Sequence, residues 1–123
     1  RTSLFETARH IWYALDRFHL EDQDIFLPYW ESCGISGDND GKNSAVTAYL
    51  KKKENRMMLV VFNNRDQKVN SKIKLDVRKI FGFDGKIKVS DLETGKMLIT
   101  GKTEFSVPVG KRNFRLLQVL AEK

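Results

Sequence analysis

Two histidines, one cysteine and a scatter of carboxylates are the residues of this chain that could hold a metal, attack an electrophile or move a proton. Their spacing limits each reading. His10 and His19 stand nine positions apart, whereas two ligands on one helix face sit about three or four apart. The pair therefore reads as surface or capping histidines. Cys33 is the only cysteine, so it forms no internal disulfide, and no base or orienting group can be identified for it. Asp38-Asn39-Asp40-Gly41 has the clustered oxygens and glycine of a calcium loop, but residues 42–49 contain no acid to complete the coordination, which favours a plain polar linker. No glycine-rich phosphate loop occurs and neither histidine joins a triad. No catalytic residue, metal site or cofactor is assigned.

The remaining candidates are aromatic. Tyr29 and Trp30 follow Pro28 at the junction of a helical and a strand-rich region. An exposed aromatic plane stacks on the apolar C–H face of a sugar ring, so the pair is a candidate carbohydrate contact; large aromatics at such a junction also form hydrophobic plugs. Charge supplies a third possibility. Residues 1–45 hold 4 Lys/Arg against 8 Asp/Glu, net −4, and residues 46–123 hold 18 against 8, net +10. A basic body can bind nucleic acid or another anionic polymer, here through Lys72, Lys74, Lys86, Lys88, Lys111 and Arg112. Those lysines lack interleaved aromatics and any familiar nucleic-acid motif, so nucleic acid is not an expected partner.

The elements that position these groups are legible from periodicity. The organising stretch is Met57-Met58-Leu59-Val60-Val61-Phe62, a run with two β-branched residues and an aromatic, which fits a central strand covered on both faces. Upstream, Ser3-x-x-Glu6 has the form of a capping box, and Leu4, Ala8, Ile11, Trp12, Leu15 and Phe18 recur at helical spacing to make one apolar stripe. Such a helix is marginal alone and has to pack on the β domain or on another domain. The acids Glu21, Asp22 and Asp24 favour the start of a second short helix.

From Ala45 the period becomes two. Strands are expected at 45–50, at 57–62, and around Val69, Ile73, Leu75 and Val77 with Lys72, Lys74 and Asp76 facing outward. Ile80 to Phe83 reads as an apolar loop over an end of the core. Further strands lie around Ile87 and Val89, at 97–100, around Phe105 to Val109, and at 113–120, with Asp91 to Lys96 as a hairpin. Pro108 suggests a sheet edge or bulge. The fold class expected is mostly β, an antiparallel β-sandwich of about seven strands preceded by one or two helices. The hydrophobic content of 41% and charged content of 31% suit a globular domain, and no apolar run reaches a membrane-spanning length of about 20 residues.

Residues 57–120 resemble the C-terminal β-sandwich that follows the catalytic (β/α)-barrel in many glycoside hydrolases. The resemblance is carried by Leu59-Val60-Val61-Phe62-Asn63, Lys74-Leu75-Asp76, Asp91-Leu92-Glu93-Thr94-Gly95, Val107-Pro108-Val109 and Phe114-Arg115-Leu116-Leu117, in that order. Trp12 to Trp30 is similar to the last barrel helix and the crossing into the sandwich in bacterial hydrolases related to glycoside hydrolase family 123.

The resemblance, with the start at Arg1, implies an excerpt of a larger polypeptide. Residues 1–31 would be a helical segment ending an upstream barrel, 32–44 a loop or linker, and 45–123 the β-sandwich domain. The implied function is a non-catalytic accessory domain of a glycoside hydrolase in carbohydrate metabolism. It would pack on its barrel through the helix stripe Leu4, Ala8, Ile11, Trp12, Leu15 and Phe18, with Tyr29 and Trp30 joining the seam. The parent would be periplasmic, cell-surface or secreted, and the acid and base would lie on the barrel. Nothing in the sequence holds two of Glu21, Asp22, Asp24 and Glu31 at the separation glycosidases need. The alternatives are an independent carbohydrate-binding module using Tyr29 and Trp30, and the anionic-polymer binder above.

Overall fold

The apolar run forms the middle of β4 (Arg56–Asn63) in the computed structural model, which describes residues 13–31 and 33–123. On one side β4 pairs with β3 (Ser44–Lys51) and on the other with β9 (Asn113–Glu122), Leu59 lying between Ala48 and Leu117. Strand alternation sends Met57, Leu59 and Val61 into one core and Met58 and Val60 into another on the opposite face. Cover on both faces is what an unbroken apolar strand requires, and each fully buried large side chain contributes on the order of 1.5–3 kcal/mol.

β1 (Ile25–Leu27), β6 (Lys86–Asp91) and β7 (Met97–Thr100) complete a six-stranded sheet in the order β1-β3-β4-β9-β6-β7. β2 (Ile35–Gly37), β5 (Val69–Leu75) and β8 (Glu104–Val109) form a three-stranded sheet in the order β2-β5-β8. All neighbours run antiparallel. The main core lies between the sheets, with Val46, Leu59, Leu117 and Val119 facing Ile73, Leu75, Phe105 and Val107. Pro108 sits in β8, at an edge of the smaller sheet, where a missing N–H breaks no ladder. Asn63, fully buried at the end of β4, donates through Nδ2 to the carbonyls of Gln67, Val109 and Gly110 at 2.9, 3.3 and 3.0 Å. It clasps the large sheet to the end of β8 in the small one.

The fold is the expected mostly-β antiparallel sandwich, with particular segments differing from the reading above. Among the described residues there are nine strands, because β1 and β2 lie at 25–27 and 35–37, where a second helix and a loop were expected. The acids at 21–24 form a tight turn instead of a helix start: the Glu21 N–H donates to Asp24 Oδ2 at 2.9 Å, and both carboxylates turn to Lys51. The strand expected to run on to Val77 stops at Leu75, and Val77, with the start of the expected apolar loop, forms a short helix, α2 (Val77–Phe81), capped by Asp76, which accepts from the Lys79 N–H at 3.0 Å. Gly82 closes it at φ 88°, and Phe81 is still buried in the main core.

Residues 13–18 are helical (α1) and lie on the outer face of the six-stranded sheet. Ala14 and Phe18 are fully buried against Met58, Leu92 and Leu116, and Leu15 is half-buried beside them. Arg17 donates to the Leu92 carbonyl. The described part of the helical stripe therefore packs on the chain's own sheet, and Phe18, expected at a seam with another domain, is enclosed here. Leu4, Ala8, Ile11, Trp12 and the capping box lie outside the described residues, as does His10. His19 is exposed at φ 60°, its N–H closing the helix on the Leu15 carbonyl at 2.7 Å. Among the described residues no helix is long and apolar enough to cross a membrane.

Candidate functional site

The pairing of β1 with β3 sets Phe26 opposite Tyr49 on the outer face, while Leu27, one residue on, turns to the main core. Pro28 is buried and ends the strand, and a turn closed by the Glu31 N–H on the Pro28 carbonyl, 3.2 Å, lifts Tyr29 and Trp30 clear. Four rings result in sequence. Tyr29 and Trp30 lie 5.1 Å apart at 90°, Trp30 and Phe26 6.2 Å apart at 70°, and Phe26 and Tyr49 5.1 Å apart at 37°. Trp30 is 65% exposed, Phe26 45% and Tyr29 36%. Among the described residues nothing covers Trp30, which leaves its ring open to a ligand or to a neighbouring domain.

The acid-rich loop supports this surface. Asp40 Oδ1 accepts the N–H groups of Lys42, Asn43 and Ser44 at 2.9, 2.8 and 3.0 Å. Those bonds, Ser44's first, hold its pKa at about 2, well below the usual carboxylate range. Asn39 accepts from the Val46 N–H at 2.8 Å and donates to the Tyr29 carbonyl at 3.3 Å, and Asp38 accepts the Lys72 N–H at 2.9 Å. Oxygens that suggested a calcium loop are thus spent on backbone amides. Gly41, at φ +77°, lies under the Tyr29 ring so closely that a Cβ there would come within 2.3 Å of it.

Beside the rings, Lys51 anchors the segment. Its Nζ lies 3.0 Å from Glu21 and 2.8 Å from Asp24, with the Lys51 and Asp24 side chains only 2% and 3% exposed. The same ammonium lies 4.9 Å from the Phe18 ring centre, and Arg56 lies 5.0 Å from it. Burial would lower the Lys51 pKa, but the carboxylate hydrogen bonds outweigh it and raise it. A cleft of about 280 Å³ adjoins the triad, bordered by Gln23, Ile25 and Glu54.

Sequence reasoning missed Phe26, Tyr49 and Lys51. Tyr49's outward parity in the strand at 45–50 was a usable signal, and the acidic front facing a basic body hinted at Lys51. Asp22 and Glu31 are exposed, and Cys33 is half-buried against the main core. The candidate cations divide: Lys72 and Lys74 lie on β5 of the small sheet, whereas Lys86 and Lys88 lie on β6 of the large one, with Lys88 paired to Glu122 at 2.9 Å. Outward faces of the two sheets point oppositely, which leaves no common basic surface for these four.

No family model matches this chain, and no curated protein matches it. Solved structures do. A provisionally assigned alpha-N-acetylgalactosaminidase from Bacillus halodurans matches with a TM-score of 0.60 at 11% identity, over 80% of this chain and 20% of that one. A glycoside hydrolase family 27 beta-L-arabinopyranosidase from Geobacillus stearothermophilus, in complex with arabinose, matches with a TM-score of 0.56 at 16% identity, over 73% of this chain and 20% of that one. Alpha-galactosidase I from Mortierella vinacea gives 0.53 at 16% identity, over 75% and 22%. At such identities the shared property is the fold. The chain spans about a fifth of each of these enzymes.

Proposed function

We propose that this chain is a non-catalytic accessory β-sandwich of a larger glycoside hydrolase, C-terminal to the catalytic barrel. The observation that carries the reading is the likeness in fold of 73–80% of this chain to about a fifth of each of three glycosidases. The accessory role is mechanical, covering apolar barrel surface. Leu4, Ala8, Ile11 and Trp12 supply the seam in this reading, since Phe18 is already committed to the chain's own sheet. None of the three matched enzymes is named for family 123, and a closer relation to that family, with a bacterial parent in the cell envelope or secreted, belongs to the proposal.

The test is the mass of the native polypeptide that carries this stretch, read by immunoblot of cell and secreted fractions. A band several times the 14.3 kDa of this chain is expected. A band at 14.3 kDa overturns the accessory reading.

A further inference from the structure

We infer that Trp30, braced by Tyr29 and Phe26, forms a carbohydrate-binding platform that takes the apolar C–H face of a pyranose ring in an oligo- or polysaccharide. Three features on this surface point the same way. First, Trp30 keeps 65% of its surface exposed although it contacts two other rings, and it meets both at steep angles, 90° and 70°. Such packing fixes a ring while leaving broad apolar area to a ligand. Second, the support is rigid. Tyr29 rests on the Gly41 backbone and is tied through its carbonyl to Asn39, which is itself bonded to β3, and Lys51 pins the preceding turn. A preordered aromatic loses little conformational freedom on binding. Third, polar groups flank Trp30 on both sides in the chain: Tyr29 brings a phenol, and Glu31 is exposed. A ring of hydroxyls needs such hydrogen-bonding neighbours, whereas the centre of a dry protein interface is depleted in charge.

The platform is a property of this chain's own residues and does not depend on the parent being a hydrolase, so its failure and that of the accessory reading are separable. The test is affinity electrophoresis of the whole native polypeptide in gels containing arabinogalactan, galactomannan or xylan, alongside Trp30→Ala and Trp30→Phe variants. Retardation is expected in at least one gel, weakened about tenfold or more in apparent affinity by Trp30→Ala and only partly by Trp30→Phe. Circular dichroism should be the same for all three proteins, since Trp30 is largely outside the core. Acrylamide quenching of the Trp30 contribution, taken as the difference between parent and Trp30→Phe emission, should report an accessible indole. Retardation equal in parent and Trp30→Ala overturns the proposal, as does its absence from all three gels. An indole shielded from acrylamide in the whole polypeptide also overturns it, because a neighbouring domain then occupies the surface.

Discussion

Lys51 is the first of three consecutive lysines, and its two neighbours are exposed while it is not. Its position explains the difference: it follows Leu50, which faces the main core, so parity turns it to the outer side, where α1 and the 21–24 turn cover it. Removing one member of a buried ion pair leaves the other charges desolvated and costs about 3–5 kcal/mol. Lys51→Met should therefore lower unfolding free energy by that order in urea titrations, more than Lys52→Met, which sits in water. The pH dependence follows the same groups. Lys51, with its pKa raised above 10.5, contributes fully below 10.5 and loses that contribution only as pH rises through the raised value. Glu21, lowered from 4.5 chiefly by its hydrogen bond to Lys51, contributes above 4.5 and loses this as pH falls through its lowered value. Asp40 behaves like Glu21 over a lower window, from 3.8 to about 2. There the unfolded chain binds the proton first, so stability rises with pH. In Asp40→Asn, whose carbonyl can still accept the three amides, the slope of stability against pH across that window should shrink. An unchanged slope would show that Asp40 is not the titrating group.

At the level of elements, Phe18 is central to the packing of the described part of α1 on the sandwich, with Met58 and Leu116 beneath and two cations near its face. Phe18→Ala leaves a cavity under the helix and should cost about 3–5 kcal/mol. Amide exchange of residues 13–18 and of Leu92 should accelerate more than that of Leu117, which lies in the main core. Equal acceleration at all of them would mean that α1 has no separate opening. The helix itself was legible because its apolar residues kept a period near 3.6, and β3 to β9 were legible because theirs kept a period of two or ran unbroken. β1 and β2 were not. Three residues carry too little alternation to detect, and Ile25-Phe26-Leu27 becomes a strand only because β3 offers it an edge. The short helix α2 was hidden for a related reason: Val77 continues the alternation of β5, and Ile80 and Phe81 read equally well as an apolar loop until Asp76 is seen capping the helix. The ring cluster was half legible. Tyr29 and Trp30 drew attention by type, while Phe26 and Tyr49 join them only through strand pairing.

In the whole molecule, one strand serves two cores. Adjacent residues of β4 face opposite ways, Leu59 into the space between the sheets and Met58 beneath α1, and both are almost completely buried. The acidic front and basic body, which looked like a charge asymmetry of the chain, meet at Lys51 and hold the outer layer to the same strand system. Shared strands and a shared ion cluster argue for one cooperative unit, the usual behaviour of a chain this short. Met58→Ala and Leu59→Ala test this as a pair, each expected to cost about 2–5 kcal/mol. If the cores are coupled, both variants move a single urea transition to lower concentration with little change in its slope, and near- and far-ultraviolet circular dichroism stay superimposed. If Met58→Ala instead splits the transition, the outer layer unfolds by itself over an intact sandwich. The helical segment would then be an appended layer, and a larger protein could exchange it for its own surface without disturbing the main core.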